Sequence, residues 1–108
     1  MPLSEDEYLR YHAIRGRKLL KEKHSYYQRG RENGDKGIIE EDIKRKVIVL
    51  EALFDTAKNM RTNAQQKLDD LARNAQKILE ALKQEYPQLA QQLKFQHLET
   101  QLTNEISY

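Results

Sequence analysis

Between Tyr8 and Arg31 the chain places eight lysines and arginines (Arg10, Arg15, Arg17, Lys18, Lys21, Lys23, Arg29, Arg31) against one acid, Glu22, in a protein whose formal net charge is only +2. Cations gathered this way suit polyanions. Each one brought to a phosphate releases condensed counterions, and a guanidinium grips phosphate through two parallel hydrogen bonds. A tyrosine among them, such as Tyr11, offers a ring on which an unpaired base can stack. The segment before it, Met1 to Leu9, holds three acids and no base, so the charge is patterned rather than scattered.

Other chemistries find no support. His12, His24 and His97 share no metal-ligand spacing, and without any cysteine a zinc site would need carboxylates from remote positions. Neither a metal nor another cofactor is expected. Ser4, Ser25 and Ser107 sit in no nucleophile motif, and the adjacent Asp69 and Asp70 point to different sides of a helix. The glycines at 30, 34 and 37 lack the preceding strand and the following lysine-hydroxyl pair of a phosphate-cradling loop. The expectation is a binding protein, not an enzyme, with no small-molecule substrate.

The elements that position the cations are helical. Ser4, followed by Glu5, Asp6 and Glu7, reads as a capping box that starts a helix over 4–28. Wrapped at about 100° per residue, that helix gathers Tyr8, Leu9, Leu19, Leu20, Tyr26 and Tyr27 on one side, with His12, Ala13 and Gly16 among them. The opposite side carries Arg10, Arg15, Arg17, Lys18, Lys21 and Arg29, with Tyr11 and Ile14. The cationic face is expected to run roughly 28 Å along the axis. Arg10, Arg15, Arg17, Lys18, Lys21, Arg29 and Tyr11 are therefore the candidate nucleic-acid or polyanion site. A membrane-surface role fits poorly, since the apolar side is tyrosine-rich and lacks Trp and Phe anchors.

Residues 29–37 hold three of the four glycines and an Asn33-Gly34-Asp35 turn signal, and read as a loop. The next 49 residues, Ile38 to Tyr86, contain neither glycine nor proline. Alternating steps of four and three from Ile43 land on Val47, Leu50, Phe54, Ala57, Arg61, Ala64, Leu68, Leu71, Ala75, Ile78 and Leu82, and only Arg61 is not apolar. This is the heptad pattern of a coiled coil or long bundle helix, about 70 Å in length. Lys44, Arg45 and Lys46 follow Glu40, Glu41 and Asp42, so pairing along the helix is their expected use. Pro87 should break the helix, with a last helix over 88–105.

The expected architecture is all-α, a single helical domain over 1–108. One long helix is flanked by two shorter ones, each folding back on its own half of it, as an antiparallel bundle or coiled coil. The seam weakens around Arg61, where Asn59, Thr62 and Asn63 suggest a polar waist. The run Val47 to Phe54 is apolar nearly all round, which predicts self-association through Ile43, Val47, Leu50, Phe54, Leu68, Leu71, Ile78 and Leu82. With no cysteine, no apolar leader and no run of membrane-spanning length, a cytoplasmic location is expected. The partner is expected to be nucleic acid, bound through the cationic helix. The alternative is an adaptor, inhibitor or assembly chaperone docking an acidic protein.

Overall fold

The computed structural model describes residues 3–60 and 64–106, and among these the chain is all-helical, with no strand. Six α-helices follow one another: α1 (Glu5–Tyr11), α2 (Ala13–Glu22), α3 (His24–Glu32), α4 (Lys36–Lys58), α5 (Gln65–Glu85) and α6 (Leu93–Gln101). A 3-10 turn, Pro87–Gln91, precedes α6, and a π-helical turn, Leu102–Ile106, follows it. The chain forms two compact units, Met1–Val49 and Leu50–Tyr108.

In the first unit α1 starts as its capping box dictates, with the Ser4 hydroxyl accepting from the Glu7 amide at 3.2 Å. The helix expected over 4–28 is nevertheless three helices. His12, at φ −114° and ψ 55°, leaves helical geometry between α1 and α2, and Lys23 interrupts the chain again before α3. The reason lies in α4: the Arg45 guanidinium holds both the Glu5 carboxylate and the Tyr27 hydroxyl. A straight helix would set Glu5 and Tyr27 roughly 33 Å apart. The chain must turn back between them, and it does so at His12.

Helices α2 and α3 run antiparallel to the first half of α4, with Gly16 beside Val49 and Gly30 beside Ile38. A Cβ on Gly30 would lie 2.2 Å from the Ile38 Cγ2, so only glycine permits this approach. The loop expected over 29–37 shrinks to residues 33–35. It is a Schellman turn: the Asp35 amide donates to the Gly30 carbonyl (2.9 Å), the Gly34 amide to that of Arg31 (3.2 Å), and Gly34 has φ 65°. Asp35 then caps α4, accepting from the Ile38 amide at 3.2 Å.

Leu50, Leu53, Phe54, Leu71, Ile78, Leu79, Leu82, Phe95 and Leu98 are buried in the second unit. They belong to the second half of α4, to α5 and to α6. Lys83 of α5 pairs with Glu99 of α6 at 2.9 Å, and the Glu99 carboxylate raises the Lys83 pKa above its ordinary value. The single helix expected over 38–86 is two. At the end of α4 the Asn59 side-chain amide donates to the Asp55 carbonyl (2.9 Å) and the Met60 amide to Ala57 (3.2 Å), which tightens the last turn. Ala64 enters α5 at φ −103°, ψ 38°. The expected waist at Arg61, with Thr62 and Asn63, lies outside the described residues.

Pro87 breaks the chain as its ring requires, with Tyr86 in an extended-side conformation before it and Pro87 at the first position of the 3-10 turn. The expected helix over 88–105 begins later, at Leu93, because the Leu89 and Gln92 amides bond three residues back rather than four. Thr100 and Thr103 bond the carbonyls four residues before them, where the α-helix widens into the π turn.

Candidate nucleic-acid interface

Leu9, Ala13, Gly16, Leu20, Tyr27 and Gly30 form the buried side of α1 to α3. Burying that side turns the cations outward. Arg15, Lys18 and Lys21 are exposed, spaced three apart along α2, and on a helix such neighbours have Cβ atoms about 5–6 Å apart. Arg17 is half-buried beside them. Arg10, in the last turn of α1, and Arg29, in α3, are exposed as well. Tyr11 is 79% exposed, its ring edge-on to His12 at 4.9 Å, and His12 also meets Tyr8 at 4.8 Å. The side chain of Ile14, expected on this face, lies outside the described residues.

Two acids of α1 are engaged by α4. Asp6 pairs with Lys44 at 3.4 Å, and Glu5 with Arg45. Among the described residues, Arg15, Arg17, Lys18, Lys21 and Arg29 make no ion pair. Like charges at helical neighbour spacing repel by a few tenths of a kcal/mol per pair, and a bound polyanion removes that cost. Two other cations of the segment have internal duties. Lys23 lies 5.5 Å over the Tyr26 ring, and Arg31 reaches the fully buried carboxylate of Asp42 at 3.1 Å.

Asp42 also meets Lys46 at 3.0 Å, so a buried carboxylate sits between two cations where α3 packs on α4. Pairing along α4 accounts for part of the 44–46 cluster, namely Lys46 with Asp42 and Arg45 with Glu41 at 3.5 Å. Lys44 and Arg45 reach across to α1 as well, which spacing along one helix does not reveal. A signal was present: an acid run at 5–7 stands opposite in charge to a base run at 44–46.

Arg45 is the junction of this unit. Burial works against its charge, but the Tyr27 hydroxyl and the Glu41 and Glu5 carboxylates outweigh it and hold its pKa above the ordinary value. Burial pushes the Tyr27 phenol up to about 12, against the pull of the Arg45 guanidinium.

Of the residues expected to drive self-association, Leu50, Phe54, Leu71, Ile78 and Leu82 are buried within the second unit, whereas Ile43, Val47 and Leu68 are half-buried. Among the described residues no cluster of three or more His, Asp or Glu could hold a metal ion, and no helix is long and apolar enough to cross a membrane. No family model, curated protein or solved structure matches the chain.

Proposed function

We propose that the chain is a binding protein for nucleic acid, which it engages through the outer face of α1 to α3. The observation that carries this reading is the set of five cations, Arg15, Arg17, Lys18, Lys21 and Arg29, that make no ion pair among the described residues, while Lys44 and Arg45 hold Asp6 and Glu5 of α1. Phosphates along a backbone neutralise such a row, and the exposed Tyr11 ring beside Arg10 supplies a surface for an unstacked base. A cytoplasmic setting, the default for a chain without cysteine, suits this role.

Self-association as a coiled coil or antiparallel bundle remains a separate part of the reading. It draws on Ile43, Val47 and Leu68, the seam residues that the chain's own cores cover only in part. Sedimentation of the wild type and of Val47→Glu decides it: a dimer that the substitution dissociates supports the seam, and a monomer at all concentrations removes it.

Mobility-shift titrations with short RNA, single-stranded DNA and duplex DNA at several salt concentrations test the binding. The expected result is an affinity that falls steeply with salt and is abolished by Arg15→Glu/Lys18→Glu/Lys21→Glu. No binding at low salt, or binding that survives the triple substitution, overturns the reading. Capture of a single acidic protein in place of nucleic acid, insensitive to nuclease, counts against it in favour of a protein-docking role.

A further inference from the structure

Within the first unit α1, α2, α3 and α4 leave a partly open cavity of about 230 Å³. Leu9, Leu19 and Leu20 line it together with Tyr8, Tyr27 and Arg45. Protein interiors hold few voids larger than a water molecule, and a dry cavity of roughly 150 Å³ lined by aliphatic and aromatic side chains is already enough to take benzene. Three leucines and two tyrosines give the wall a mainly apolar surface, and Glu5, Glu22, Lys23 and Arg45 complete the lining.

The wall also carries a buried polar function. Tyr27 is 1% exposed, and its hydroxyl accepts from Arg45. Among the described residues nothing accepts the hydroxyl's own proton. A buried donor without an acceptor costs free energy, and an oxygen entering the cavity satisfies it. The charges around the site disfavour an anion. Glu5 and Glu22 offset Lys23 and Arg45 among the lining residues, and Glu41 adds a further carboxylate on Arg45.

We infer that this cavity is a binding site for a small neutral molecule with an apolar body and one carbonyl-type oxygen, the oxygen accepting from the Tyr27 hydroxyl and the body lying among Leu9, Leu19 and Leu20. This site is independent of the cationic face. Burial keeps the phenol protonated up to about pH 12, so the donor is present at any physiological pH.

The test uses two probes of similar size, acetophenone and isopropylbenzene, titrated into the full chain and followed by the methyl resonances of Leu9, Leu19 and Leu20. Both should shift these methyls. Tyr27→Phe should weaken acetophenone by about 3- to 10-fold, the worth of one net hydrogen bond, and leave isopropylbenzene unchanged. Leu19→Trp, which fills the cavity, should abolish both. Because Tyr27→Phe could unfold the unit, the carbonyl stretch of acetophenone bound to the wild type is measured as well, and it should move to lower frequency than in hydrocarbon solvent. Absence of methyl shifts, binding that survives Leu19→Trp, equal weakening of both probes by Tyr27→Phe, or an unshifted carbonyl band overturns the proposal.

Discussion

Glu5 and Tyr27 meet on one guanidinium, that of Arg45, although a whole helix, α2, separates them in sequence. This shared contact closes α1 back toward α4 and engages the Glu5 carboxylate on Arg45. Removing the Arg45 side chain leaves a buried hydroxyl and two carboxylates without their partner. Arg45→Ala should therefore cost on the order of 2–3 kcal/mol, whereas Glu5→Gln, at an exposed carboxylate, should cost under about 1 kcal/mol. Urea denaturation of the two variants checks the asymmetry, and equal costs would contradict it.

The raised Tyr27 pKa makes a directional prediction for alkaline stability. The folded state holds the phenol's proton up to about 12, while the unfolded chain releases it near the ordinary value of 10. Between those values the folded state binds more protons, so stability falls as pH rises. The contribution is complete below about pH 10 and lost through about pH 12. The difference in stability between wild type and Tyr27→Phe, followed across this window, should shrink as pH rises. A difference independent of pH would show that the phenol does not titrate differently in the two states.

Gly30 and Gly34 should respond to alanine for different reasons. At Gly30 the new methyl meets the Cβ and Cγ2 of Ile38, a stiff β-branched side chain, and forces α3 from α4 at a cost of about 1–3 kcal/mol. At Gly34 no atom lies within 4 Å, but φ is 65°, and the left-handed conformation alone should cost about 1 kcal/mol. Thermal unfolding of both variants should place Gly30→Ala below Gly34→Ala.

Asp42 is fully buried between Arg31 and Lys46. Asp42→Asn keeps the shape and strands two cations, for an expected loss of about 3–5 kcal/mol. An Asp42→Asn protein as stable as wild type would mean that the two cations find other partners.

On the outer face, Lys18→Gln should change stability by under about 0.5 kcal/mol, since the side chain is exposed and unpaired. Binding should still register it. Each of Arg15, Lys18 and Lys21 changed to Gln should reduce the slope of log affinity against log salt by roughly 0.9 on duplex DNA, or roughly 0.7 on a single strand. An unchanged slope would place the phosphate contacts elsewhere.

What the sequence determined by itself was the helical character of the chain and the sorting of its side chains. The Ser4 to Glu7 cap, the Asn33-Gly34-Asp35 turn and the break at Pro87 are local, because each depends on the conformational limits of residues close in sequence. The separation of Arg15, Lys18 and Lys21 from Leu9, Ala13, Gly16 and Leu20 follows from helical periodicity alone. Only the tertiary structure decided where helices turn. Neither His12 nor Lys23 is a glycine or proline, and the turn between α1 and α2 exists because Arg45 holds groups from both sides of it. The same holds for the 49 residues that read as one helix. Their heptad spacing is compatible with one helix or two, and the choice rests on the weak Ala57 and Ala64 positions and the side-chain bonding at Asn59. The ion triad at Asp42 and the cavity beside Tyr27 were invisible in the sequence for one reason. Both are made by residues from different helices, and periodicity gives the face a residue occupies but not what that face meets.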